Sequence, residues 1–357
     1  MRIPTILAVC LLLLASCKKE GCTDASAYNF NPDAELEDGT CQYSGCTDQL
    51  ASNYDEGAAV NDGSCEYGGC MDPGALNYDE TATVDDGSCD FLGCTDSEAV
   101  NYEETATIDD GSCDYLGCTD PGAVNYDETA TIDDGSCVFL EDLQPSIDGY
   151  TYGVVQIGDQ VWFSENLRTT TYANGDLIPA GLTDDEWVST TSGATAVYGE
   201  GISICDHWSP DIDACDEVQS LAAYGRLYNG YAVDDVRGLC PAGWHVPTDD
   251  EWTELEDYIT SQGFDGTEGT ALKSTAGWTY NGHGTDDFGF SALPGGRRSY
   301  DYGFFDDAGF HGSWWSSSPD GGHAWYRRLA PYNPDIYRYF NFYPRNGFSV
   351  RCLRDAG

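Results

Sequence analysis

Five cysteine pairs recur at one spacing: Cys22 and Cys41, Cys46 and Cys65, Cys70 and Cys89, Cys94 and Cys113, Cys118 and Cys137. Two chemistries suit them and the oxygen-bearing side chains between them. The first is disulfide formation. Closing a loop of about twenty residues contributes roughly 3 kcal/mol in the chain-entropy model. Pairing inside each phrase, Cys118 with Cys137 for example, is the expectation. Pairing across the short link, such as Cys113 with Cys118, or between neighbouring repeats stays open, because spacing does not fix connectivity. The second chemistry is binding of Ca²⁺ by hard oxygen ligands. Asp120, Asn125, Asp127, Asp133 and Asp134 stand in the fifth phrase, and Asp72, Asn77, Asp79, Asp85 and Asp86 stand in register in the third. The same side chains equally suit turn capping, since Asp-Gly is a turn signal and Asp and Asn bond their own backbone. Zinc fits worse, because no His lies near the paired Cys.

Further along, Cys205 and Cys215 bracket a loop that contains His207, Trp208, Asp211 and Asp213. A local disulfide is the expectation there; a metal site on His207 and its neighbouring Asp residues is the alternative. Cys240 and Cys352 suit a long-range disulfide tying the C-terminal strand to the start of a helix. Residues 300–345 concentrate Tyr, Phe and Trp with arginines. Aromatic side chains give large contact area at little entropic cost. Trp314, Trp315, Trp325, Arg327 and Arg328 are therefore the candidate ligand-binding residues, in competition with core packing. Trp244 and Trp252 are expected in the core, His245 as a satisfied buried histidine, and Arg297 beside a carboxylate or on the surface. The chain shows no serine-nucleophile elbow, P-loop or His-Glu-x-x-His motif.

The elements that must position these groups differ in the two halves. The first half has a 24-residue period, the mark of an array of small units. Residues 21–137 hold 28 acidic residues, and no Lys or Arg occurs between Glu20 and Asn166. Each unit has too little apolar surface to offset chain entropy, so it needs staples. Its ending, Asp-Asp-Gly-Ser-Cys, faintly resembles thrombospondin type 3 repeats, which wrap calcium, but dense Asp-x-Asp-x-Asp-Gly runs are missing. Residues 138–147 read as a linker. Beyond it the pattern alternates. Tyr152–Ile157 and Gln160–Phe163 flank a Gly158-Asp159 turn, a hairpin signal. Thr248-Asp249-Asp250-Glu251 is a capping box opening a helix with Trp252, Leu255, Tyr258 and Ile259 on its apolar side. Short strands are expected at Phe288–Leu293, Trp314–Ser316, His323–Tyr326 and Phe348–Cys352. The fold class is thus an irregular, disulfide-stapled repeat array followed by an α+β domain.

The net charge of −47 argues against nucleic acid and anionic lipid as partners and favours solubility and attraction of cations. Sixteen cysteines point to an oxidising compartment. Residues 1–16 look like a secretory signal peptide. Leu14-Ala15-Ser16-Cys17 resembles a bacterial lipobox, which implies cleavage before Cys17, acylation of Cys17 and a short tether over residues 17–20. Lys18-Lys19-Glu20 partly resembles the export tags of surface-exposed lipoproteins, and an outer-membrane, cell-surface location follows from these resemblances.

In the second half, Val155–Trp162, Glu165-Asn166-Leu167, Tyr224–Asn229, Cys240–Thr248, Gly289–Arg297, Trp315–Ser318 and Gly347–Cys352 together resemble the FISUMP family, the major paralogous domain of bacterial surface lipoproteins. The resemblance covers roughly residues 148–355. That family is similar to formylglycine-generating and sulfatase-modifying domains, which implies a C-type-lectin-like fold. Formylglycine-generating enzymes use two neighbouring Cys near the end of the domain, and here only Cys352 stands there. The expectation is a non-catalytic lipoprotein whose stalk presents a lectin-like domain to a glycan or surface protein, for adhesion or ligand binding. A surface-layer or filament component is the alternative.

Overall fold

The computed structural model describes residues 18–201, 204–320 and 323–355. The expected signal peptide and the expected lipidation site, Cys17, lie outside these residues. The described residues fall into two compact units: those up to 119 together with 127–135, and 120–126 together with those from 136 on.

Each repeat is built from the same parts. The link before its first Cys runs parallel to a short strand late in the same repeat, as Gly68–Gly69 does with Val84–Asp85, and Leu92–Gly93 with Ile108–Asp109. The Asp-Gly turn follows, and its glycine is left-handed in all five copies (φ 76° at Gly87, for example). That conformation costs glycine nothing and a β-carbon about 1–2 kcal/mol. Disulfides join Cys22–Cys41, Cys46–Cys65, Cys70–Cys89 and Cys94–Cys113, with Cα atoms 4.7–4.8 Å apart. Cys118 and Cys137 are also disulfide-bonded.

The interior of a repeat is one cysteine and one alanine, such as Cys70 and Ala75. The aromatic and aliphatic positions that recur with them are not interior: Tyr78 is 46% exposed and Val84 40%. Burial of about two small side chains contributes only a few kcal/mol. Covalent closure and local hydrogen bonds do the rest.

The candidate calcium ligands supply those hydrogen bonds. In the third repeat Asp72 accepts from the Gly74 amide, Asp79 from Thr81, Asp85 from Gly87 and Asp86 from Ser88, all at 2.8–3.1 Å. Asn77 donates to the Ser88 carbonyl and accepts from the Asp90 amide. In the fifth, Asp120, Asp127 and Asp133 take the amides of Gly122, Thr129 and Gly135, and Asn125 bonds Ser136 and Val138. Asp134 is also engaged. The recurrence of Asp and Asn therefore has a geometric cause in Asx turns. Truncation of Asn77 to Ala removes two hydrogen bonds, worth about 1 kcal/mol each. Hydrogen exchange at the Asp90 amide is expected to speed up by about a factor of ten or more, while the other repeats stay unchanged.

The second unit is β-rich. A four-stranded sheet has the order Val154–Ile157, Gln160–Phe163, Leu353–Arg354, Trp244–His245. The C-terminal strand thus lies beside the first hairpin, and the ends of the domain close on each other. The Cys240–Cys352 disulfide sits next to this closure. A six-stranded sheet runs Thr195–Ala196, Leu227–Asn229, Gly347–Phe348, Gly295–Arg298, Phe305–Ala308, Cys205–His207. Its pairings are antiparallel except the last. A three-stranded sheet comprises Gly312–Asp320, His323–Leu329 and Tyr337–Phe342.

Helix α1 spans Asp184–Ser189, α2 Glu217–Tyr224, α3 Gly230–Val233, α4 Asp249–Ile259 and α5 Glu268–Leu272. The expected capping box opens α4: Thr248 and Glu251 bond each other's amides. Trp252, Leu255 and Ile259 bury one face of α4 against Trp162, Trp278, Phe290 and Trp314. Tyr258 is only partly buried there.

Three sequence expectations change, the first being the Phe348–Cys352 strand, which is interrupted: only Gly347–Phe348 and Leu353–Arg354 pair as strands. Phe288–Leu293 is not a strand but a loop, with Ser291 left-handed (φ 50°) and one bridge at Ala292. The segment read as a linker holds a 3₁₀ turn at Leu140–Leu143, and its end, Ser146–Ile147, pairs with Tyr150–Thr151.

Candidate functional site

Trp314 and Trp315 are fully buried, and so is Arg327. Trp314 donates its indole N–H to Asn166 Oδ1 at 2.9 Å, and Trp315 donates to the Tyr228 carbonyl at 2.7 Å. Arg327 pairs with Asp249 and Glu256 beside α4. These three are core groups, not ligand-facing ones: a strand that crosses the middle of a domain hides its aromatics whatever polar residues follow them. Trp325 is half-buried, with Arg338 lying 4.4 Å over its ring and Phe340 against it. Arg328 is half-buried over the Tyr326 and Tyr339 rings. Only Trp325 and Arg328 of the five candidates reach the surface.

The Cys205–Cys215 disulfide forms as expected. His207 Nε2 lies 3.4 Å from Asp213. Among the described residues, the groups placed closely enough to hold a metal are Cys22, Glu37 and Cys41, and His207, Asp213 and Cys215. Every cysteine in both is oxidised, so neither offers a thiolate.

The more exposed constellation is one that sequence reasoning did not assemble. Trp208, Tyr280 and Tyr332 are 49%, 53% and 68% exposed, and all three contact Phe310, with ring centroids 6.1–6.3 Å apart. Four segments far apart in sequence bring them there. The Trp208 amide donates to Ala308 O and the Thr279 amide to Gly309 O. Gly309 is needed because a β-carbon there would stand 2.2 Å from the Ser209 nitrogen, and one at Gly282 would stand 2.2 Å from Pro331. Tyr280 and Asn281 are both left-handed, at φ 56° and 54°. Non-glycine residues adopt that conformation only when their surroundings dictate it. The signal in the sequence was the glycine spacing around Trp278–Gly282 and Gly309–Gly312.

Beside Phe310 lies a charged group. His311 Nδ1 is 3.1 Å from Asp307, itself left-handed at φ 71°. Arg297 holds Asp306 through two contacts, of 2.6 and 3.0 Å, so this arginine is paired, one of the two expectations for it. Burial pushes the Asp306 carboxyl up, and Arg297 opposes that.

His245 is not buried; it is about one-third exposed. It bridges Glu251 at 2.8 Å and Asp355 at 2.7 Å. The Glu251 hydrogen bond raises the imidazole above its ordinary value of 6.5, against burial. Burial would raise Glu251, but His245 and Thr248 outweigh it and hold the carboxyl down at about 2. A raised histidine stabilises the fold below its unfolded value and ceases to do so as pH rises through the folded value. A lowered glutamate stabilises above its unfolded 4.5 and ceases to do so as pH falls toward 2. Melting temperature should therefore be highest between about pH 4.5 and 6.5 and fall on the alkaline side. His245→Gln should flatten the alkaline limb in a melting-temperature series against pH.

The comparisons with known proteins agree with this frame. No curated protein and no solved structure matches the chain. The model of the Fibrobacter succinogenes major domain matches residues 155–354. This family is one of surface-exposed proteins, consistent with a cell-surface location. Its matched span takes in the three sheets, the Cys240–Cys352 closure and the aromatic constellation. It covers more than half of the sequence, and the chain belongs to the Fibrobacter succinogenes major domain family.

Proposed function

We propose that the protein is a non-catalytic, lipid-anchored protein of the outer membrane that holds its C-terminal domain outward for adhesion or ligand capture. The reading rests on the Trp208–Tyr280–Tyr332 face. Large aromatic side chains left in water, on backbone held by close glycine contacts, are a preformed contact surface. A C-type-lectin-like relationship for this domain comes from the family resemblance and belongs to the proposal. So does the role of the acidic array as a spacer. Its stapled repeats and 28 like charges favour an extended, soluble stalk. The turn-capping Asp oxygens make calcium unnecessary to this reading.

The anchor is tested in the producing cell. Antibody against the C-terminal domain should label intact cells, and Cys17→Ala should remove the label and move the protein to a soluble fraction. Retention of the C17A protein on the surface would contradict lipid anchoring. Capture of the cells' natural substratum that survives combined truncation of Trp208, Tyr280 and Tyr332 would contradict the assigned face.

A further inference from the structure

We infer that the Trp208–Tyr280–Tyr332 face binds a neutral glycan, whose pyranose C–H faces lie on the outer faces of these rings. The inference rests on the adhesion reading and names its ligand class. Three observations lead to it. First, the rings touch one another. Tyr280 and Tyr332 are 5.2 Å apart and Trp208 and Tyr280 6.2 Å, with Phe310 nearly perpendicular to Tyr280 (87°). An ammonium cage needs a gap between its walls; here contact closes it, and only outward ring faces remain. A ligand must then present a flat apolar face.

Second, the site is preorganised, and the lysine that holds the Ala330 and Asn333 carbonyls on either side of Tyr332, Lys273, is buried away from a ligand. The Cys205–Cys215 disulfide closes the loop that carries Trp208. Residues 205–215, 277–283, 309–311 and 330–333 contain no Lys or Arg, and the whole chain carries −47. A polyanion meets no cation in these segments and repulsion from the rest of the molecule. A neutral ligand meets neither.

Third, each exposed ring carries a polar tip: the Trp208 indole N–H and the Tyr280 and Tyr332 hydroxyls. Such side chains serve ligands with one apolar and one hydrogen-bonding surface. A pyranose has both, an apolar C–H face and equatorial hydroxyls at its rim. The His311–Asp307 pair adjoins the cluster through the Phe310–His311 ring contact at 4.5 Å.

The test uses the full-length protein on an array of neutral oligosaccharides, uronic-acid oligosaccharides and choline, followed by titration of the hits. Neutral glycans are expected to bind, uronic-acid glycans and choline not. Trp208→Ala and Tyr280→Ala should each weaken binding by about tenfold or more, the loss typical of a central aromatic contact. Tyr280→Phe should retain most of it. Melting curves identify a variant that has not folded; Tyr332→Ala, at the most exposed ring, then serves in its place. Binding of choline or uronic-acid glycans alone, abolished by Trp208→Ala, would overturn the ligand class and leave the adhesion face standing. Neutral-glycan binding indifferent to all three truncations would overturn the site and the adhesion face with it.

Discussion

Treated with a thiol reductant, the repeat array will unfold while the C-terminal domain stays folded. The expectation follows from what each part buries. A repeat hides one cysteine and one alanine. Each staple contributes roughly 3 kcal/mol, about the whole stability such a unit can have. The domain instead packs three clusters rich in tryptophan and tyrosine. Its long-range disulfide joins two buried residues, Cys240 and Cys352, which reductant reaches last. Trypsin has no site between Glu20 and Asn166, so it cannot report on the array. An Asp/Glu-specific protease can, because acids stand on every repeat. The oxidised array should resist it and the reduced array should be cut throughout, leaving a resistant core of about the matched domain. An array that resists digestion after full reduction would mean that hydrogen-bonded turns alone hold the repeats.

The second large effect is expected at Arg351. Its guanidinium is fully buried and is held by an amide oxygen and main-chain carbonyls rather than by a carboxylate. Nε donates to Asn166 Oδ1, Nη1 to the carbonyls of Phe163 and Phe290, and Nη2 to the Ser291 carbonyl. Burial lowers the affinity of the group for its proton, yet an arginine remains charged at any working pH. Asn166 is the partner that also accepts from Trp314 and donates to Tyr224 O and Ser349 Oγ. Arg351→Met fills similar volume and takes this donor from the carbonyls of Phe163, Phe290 and Ser291, while Asn166 Oδ1 keeps the Trp314 indole. Each unsatisfied acceptor costs about 1–3 kcal/mol, so the loss should reach about 3 kcal/mol or more. Chemical denaturation of the domain would show it as a lower midpoint at unchanged slope. A shift within about 0.5 kcal/mol would mean that the buried cation costs as much as its hydrogen bonds return.

Much of this was legible in the sequence where the sequence supplies its own comparison. Five copies of one phrase exposed the recurring cysteines and the Asp-Gly turns, because the copies differ elsewhere; pairing inside each phrase was the expectation among open alternatives, and it is the pairing that forms. The capping box at Thr248 and the closure of Cys240 on Cys352 were legible because each is a local or covalent rule. The recurring Asp and Asn were ambiguous, since turn capping and calcium binding use the same oxygens; the geometry engages them with main-chain amides. Burial of Trp314 and Trp315 was not legible. Tandem tryptophans before a serine run look the same in a surface strand and in one that crosses the core.

The aromatic face was the least legible part. Trp208, Tyr280, Phe310 and Tyr332 share no period and no motif, and only tertiary contacts at Gly282 and Gly309 join them. The segments that carry the family resemblance build the frame instead. Asn166 is a buried hub, Gly225 meets the Leu167 carbonyl, and Arg351 anchors the C-terminal segment. The exposed rings lie outside those segments, where a frame leaves room for a particular ligand.

The whole account requires that oxidised sulfur hold the array together in the protein as the cell makes it. Peptide mapping by mass spectrometry, without reduction, of protein taken from its own membranes tests this directly. The predicted result is one linkage inside every repeat, with no free thiol between residues 22 and 137. Free thiols there, or linkages that join neighbouring repeats, would contradict it.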